Sequence, residues 1–270
     1  MQEILNYLFL GEVLKEIEPK YLKEISPNKD MQFIYASFST WPIYHNIFKK
    51  GDNNDYGTVQ KFKDNLPNII ESLVKLQMTE RENWQAVFLI YALISTTILN
   101  KKLEPLVNKL SERNKLDKKN ILNQIEDQYL YIRCNKRVKD FNPRGEFKIK
   151  MDEKTENILD NVIAKNLCFQ MVKRLYQKSL KEYVHLNKFL YFDPFLTQKL
   201  YLKAKKKSYL SPLKKRFKID NNLELVYVII DAKKETLEIL NLINSWIYYN
   251  KIDERIKLKI MAKLKANPEI

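Results

Sequence analysis

Glycine, histidine and cysteine are nearly missing from this chain. Its 270 residues include 4 glycines, 2 cysteines and 2 histidines. Gly11, Gly51, Gly57 and Gly145 are isolated, so no glycine-rich loop exists to wrap a phosphate. All-β folds need turn residues about every 8–12 positions, and this supply of glycine, with only 9 prolines, argues for long helices instead. Cys134 and Cys168 fit no zinc spacing and build no disulfide framework; they are expected to be reduced core residues. His45 and His185 are the only histidines, with no paired metal spacing, and read as hydrogen-bonded structural residues. No basic segment precedes the apolar residues 5–10, which Asn6 interrupts, so no signal peptide is expected. Residues 86–99 are very apolar but shorter than a membrane span. A soluble cytoplasmic protein is the expectation.

What is present is apolar mass and positive charge. Apolar residues make up 45% of the chain, with 16 Tyr and 13 Phe, enough to build a sizeable core. No linker or internal repeat divides residues 1–270, so one all-α, multi-helix domain is expected. The net charge is +15. Lysine far outnumbers arginine, the mark of compositional drift rather than of phosphate readers, which favour the bidentate arginine fork. The other reading is a polyanionic partner, an anionic membrane surface or nucleic acid. Its best carrier is the cluster at residues 203–218, where Lys205, Lys206, Lys207, Lys214, Lys215 and Arg216 interleave with Tyr209 and Phe217. These six are the candidate anion-binding residues; a solvated loop flank is the plainer alternative.

Apolar residues recur at helical spacing along most of the chain. Residues 4–17 form a first helix, ended by Pro19. Residues 30–48 are aromatic-rich and broken by Pro42, reading as a short buried helix or an extended piece. Residues 49–56 read as a loop, and residues 62–76 as an amphipathic helix with Pro67 near its first turn. Thr79 and Glu82 have capping-box spacing before a helix over about 83–99, apolar nearly all round and therefore central. Helices follow at 118–134, from an Asp152 cap to about residue 185, at 221–249 and at 251–265.

The order of several short motifs resembles a known family. Residues 6–17 (NYLFLGEVLKEI) are similar to a first helix in which a metal-binding histidine precedes an aromatic. Residues 35–44 (YASFSTWPIY) resemble a Gly-Pro-Asp segment with its aromatic tail. Residues 92–107 (ALISTTILNKKLEPLV) resemble a central helix carrying His-x-x-x-Asp-x-x-x-His-Pro. Residues 152–168, Phe192-Asp193-Pro194 and Tyr209-Leu210-Ser211-Pro212 resemble three later segments. Collinear over nearly the whole chain, they resemble the bacterial zinc-dependent phospholipases C.

That resemblance implies an all-α fold around a three-metal site, where ligands four apart on one helix face converge on the ions. The metals would acidify a bound water and neutralise phosphate oxygens. Here the corresponding positions carry Asn6, Trp41, Thr96, Asn100 and Glu104, with Pro105 kept. Glu126 or Asp127 is what remains of the later acidic ligands. Neutral amides, a threonine and a tryptophan are poor zinc ligands, so no metal, no cofactor and no catalytic residue is expected. The expectation is a catalytically inactive phospholipase C-like protein reused for binding or regulation. The rivals are a nucleic-acid-binding helical protein, with salt-steep affinity, and a hydrolase with an altered site using Glu104, Glu126 or Asp127 as base.

Overall fold

Among the described residues the helical periodicity is realised as helix. The computed structural model describes residues 3–18, 21, 29–37, 55–80, 83–136, 147, 150–167, 222–249 and 254–264, and no strand occurs among them. In chain order the helices are α1 (Glu3–Glu16), α2 (Lys29–Ala36), α3 (Asp55–Thr79), α4 (Trp84–Asn114), α5 (Lys118–Cys134), α6 (Glu153–Ile158), α7 (Asn222–Tyr249) and α8 (Glu254–Leu264). After Ile158, α6 widens into a π turn, Leu159–Ala164, and closes with one α turn, Lys165–Leu167.

Helix α4 is the hub, packed against α1, α2, α3, α5, α6, α7 and α8. Every residue from 85 to 96 is buried, as its all-round apolar pattern requires. By length and composition α4 is the one described helix that could cross a membrane (mean hydropathy 1.4), yet 78% of its most apolar window is covered by protein. Each fully buried large side chain there stabilises the fold by about 1.5–3 kcal/mol relative to exposure.

The caps differ from expectation at α4. Thr79 does not start it. It is the last residue of α3, where its hydroxyl donates back to the carbonyls of Lys75 (3.2 Å) and Leu76 (2.9 Å). Asn83 caps α4 instead, accepting from the Ala86 amide at 3.4 Å. The helix also runs through Pro105 to Asn114, well past residue 99. Likewise α3 starts at Asp55, inside the expected loop, and continues through Pro67. A proline costs a helix one hydrogen bond and a local clash, which tertiary packing on both flanks outweighs here. Asp152 does cap α6, accepting from the Thr155 amide at 2.7 Å. Helix α5 spans the expected residues 118–134, and α7 and α8 match theirs within three residues at either end.

Aromatics fasten α1, α2 and α6 around the hub. Phe33 stacks on Phe147 with centroids 4.3 Å apart, and Tyr7 meets Phe147 edge-on at 5.0 Å. Tyr35 meets Phe88 of α4 edge-on at 5.1 Å and shares a 2.5 Å hydrogen bond with Thr155 of α6. Burial pushes the Tyr35 hydroxyl well above the ordinary tyrosine range, so it stays protonated and able to donate.

Candidate functional site

Two places in this framework offer polar chemistry: the face of α4 that carries Thr96, Asn100 and Glu104, and an open groove beside α1.

Thr96 is buried, and its hydroxyl is committed to its own helix, donating to the carbonyls of Ala92 (2.9 Å) and Leu93 (3.2 Å). This back-bonding is how a helix interior absorbs a threonine. Asn100 and Glu104, one and two turns on, are half-buried. The Asn100 Oδ1 atom is shielded from solvent and has no hydrogen-bond partner among the described residues. Asn6 is fully buried on α1, and its amide nitrogen donates to the Ala36 carbonyl at 3.3 Å. Its polar contact thus goes to the end of α2 and not to α4. Leu99 and Leu103 fill the space beside these positions as core residues. Trp41, the six candidate anion-binding residues Lys205, Lys206, Lys207, Lys214, Lys215 and Arg216, and both histidines lie outside the described residues.

Glu126, one of the two acidic residues that the resemblance singled out at 118–128, has a structural task. Glu126 is buried, and one of its oxygens accepts from the backbone amides of Ile4 (3.0 Å) and Leu5 (3.3 Å). It caps α1 from α5, accepting from two of the backbone amides that a helix start leaves unpaired. Among the described residues, no three of His, Cys, Asp and Glu come together in a way that could hold a metal ion.

The second place is a groove of about 700 Å³ with α1 as its floor. The C-terminal end of α5 forms one wall, with Gln32 of α2 and Lys233 of α7 contributing to the others. Glu12 of α1 is held there by Arg133 and by the hydroxyl of Tyr129, and Arg133 Nε reaches that hydroxyl at 3.4 Å. The Glu12 hydrogen bond raises the arginine further above its ordinary value, so its charge is permanent. Burial lifts Tyr129 above the tyrosine range, keeping it a donor. Two donors on one carboxylate fix the position of Glu12 against the end of α5. Lys233 holds Glu16 at 2.5 Å across the same groove.

At Gly11 the Gln32 amide lies close over α1. A Cβ there would lie 2.6 Å from Nε2 of Gln32, which crosses α1 to donate to the Tyr7 carbonyl at 2.9 Å. Cys134 lines the groove and is exposed, contrary to the expectation of a core thiol: it is the last residue of α5, where the helix ends on Asn135 in the left-handed conformation. Cys168 lies outside the described residues.

Sequence reasoning missed this groove. Tyr129 and Arg133 are four apart and share a helix face, which is legible. Their partner Glu12 lies 117 residues from Tyr129, and nothing local marks the pairing. No protein-family model, curated protein or solved structure matches this chain.

Proposed function

We propose that this chain is a non-catalytic binding or regulatory protein, a relative of the zinc-dependent phospholipases C without their metal chemistry, and that the groove beside α1 is where it takes a ligand. The observation that supports this most directly is the state of Thr96. Where the resemblance calls for a histidine, the chain has a hydroxyl turned back onto its own helix. Neutral Asn100 follows, and the buried Glu126 is spent on capping α1. The groove has the size of small-molecule sites, which run from about 300 to 1,000 Å³.

The test is made on purified full-length protein. Elemental analysis is expected to find less than about one zinc per chain, and a strong chelator to leave the melting temperature unchanged. Phosphatidylcholine is expected to survive incubation with or without added zinc. Two or three tightly held zinc ions, or hydrolysis that the chelator abolishes, would restore the enzyme reading. Hydrolysis that persists in chelator would favour an altered, metal-free hydrolase.

A further inference from the structure

We propose that the groove beside α1 binds an amphiphile with one apolar chain and a single anionic head group. The inference rests on reading that groove as the ligand site and adds the chemistry of what it takes.

The floor supplies the apolar half of the argument. Tyr7 and Leu8 are half-buried and line the groove, so their remaining surface is open to a ligand. Tyr7 is braced from behind by Phe33 (6.1 Å) and Phe147 (5.0 Å), which makes this wall rigid before any ligand arrives. A preorganised apolar wall binds an apolar chain without first having to order itself.

The charges supply the head group. Lys15, Arg133 and Lys233 line the groove, against Glu12 and Glu16, three positive groups to two negative. Both carboxylates are engaged, Glu12 by Arg133 and Tyr129, Glu16 by Lys233. Lys15 is exposed at the rim and makes no ion pair with a described residue. Among the described lining residues one unit of positive charge is therefore in excess, on a long side chain beside an apolar floor. A carboxylate or phosphate monoester head fits that surplus. A cationic head would add to it, and a polyanion would meet Glu12 and Glu16. Charged heads with apolar tails match a site in which polar groups fix orientation and apolar walls give area.

The experiment is isothermal titration calorimetry of the full chain at low salt. Three probes share a twelve-carbon tail and are used as monomers: dodecanoate, dodecyltrimethylammonium and dodecyl maltoside. Dodecanoate is expected to bind at least about tenfold more tightly than the other two, a gap that narrows as salt screens the head group. Leu8→Trp, which fills the floor, is expected to abolish binding. Lys15→Glu is expected to weaken dodecanoate by about fivefold while leaving the melting curve in place. Equal affinity for all three probes, lost in Leu8→Trp, overturns the anionic head but keeps the groove. Dodecanoate binding that Leu8→Trp does not change overturns the groove itself, as does failure of all three probes to bind. If Leu8→Trp does not fold, Lys15→Glu decides: unchanged dodecanoate affinity there overturns the proposal.

Discussion

The two ends of the α4–α7 pair hold together by different physics. The helices run antiparallel, so Tyr91 on α4 meets Asn244 on α7, while Lys102 meets Asp231 and Glu235, and Lys109 meets Glu224. At the first end both partners are buried and joined by a 2.5 Å hydrogen bond within apolar packing. At the other end the links are ion pairs of 2.7–2.9 Å that reach solvent, from Lys102 and Glu235, whose side chains are 31% and 19% exposed, to Lys109, 61% exposed. Buried groups lose solvation and must be satisfied; exposed charges keep their water and gain little from pairing. One helix pair thus has a costly, specific end and a cheap, adjustable end.

The largest expected break lies at the buried end. Phe88 is fully buried on α4 and carries Tyr35 on its ring. Phe88→Ala removes that contact and leaves a cavity, with an expected loss of about 3–5 kcal/mol in urea unfolding. A loss below about 1 kcal/mol would mean that the hub is not the tightly packed centre described here.

Tyr91→Phe is a smaller and sharper probe. It strands the Asn244 Oδ1 that accepts the tyrosine proton, and Asn244 Nδ2 has no partner among the described residues already. The expected cost is about 1–3 kcal/mol. Because the penalty comes from the orphaned amide, Asn244→Leu added to Tyr91→Phe is expected to recover part of it. Additive losses in that double-mutant cycle would show that the two side chains do not act through each other.

How much of this was legible in the sequence follows the same division. The helices were, because apolar spacing is local: α5, α7 and α8 emerge nearly as their patterns dictate, and the burial of α4 follows from residues 86–99. What failed was punctuation. Thr79 and Glu82 have the spacing of a capping box, but the spacing does not say whether the threonine starts one helix or ends another. Pro67 and Pro105 look like breaks because the packing that overrides them comes from other helices. The tasks of individual site residues were hidden for a related reason. Positions 96, 100 and 104 could be named from a resemblance, but the roles of Glu126 and Glu12 depend on partners more than a hundred residues away. A buried carboxylate that caps a distant helix and one that serves as a base look alike in one dimension.

The smallest expected effect lies at the exposed end and separates the two regimes by pH. Burial alone would push the Glu235 carboxyl up, but the hydrogen bond from Lys102 and the charges of Lys102 and Lys263 outweigh it, so it lies below its ordinary value of 4.5. A carboxylate depressed on folding contributes stability that is present above its unfolded value and is lost as pH falls through the folded one. Glu235→Gln is therefore expected to cost less than about 1 kcal/mol at pH 7. That gap is expected to shrink toward zero once the pH drops well below 4.5. Tyr91 behaves differently. Burial lifts its hydroxyl above the tyrosine range, so it is protonated throughout. The Tyr91→Phe gap is expected to be the same in acid as at neutrality. Urea midpoints for both variants at neutral and acid pH decide it. If the Glu235→Gln gap persists in acid, the exposed end is held by packing and not by charge. If the Tyr91→Phe gap closes there, the buried end is coupled to a titrating group, and the division between the two ends fails.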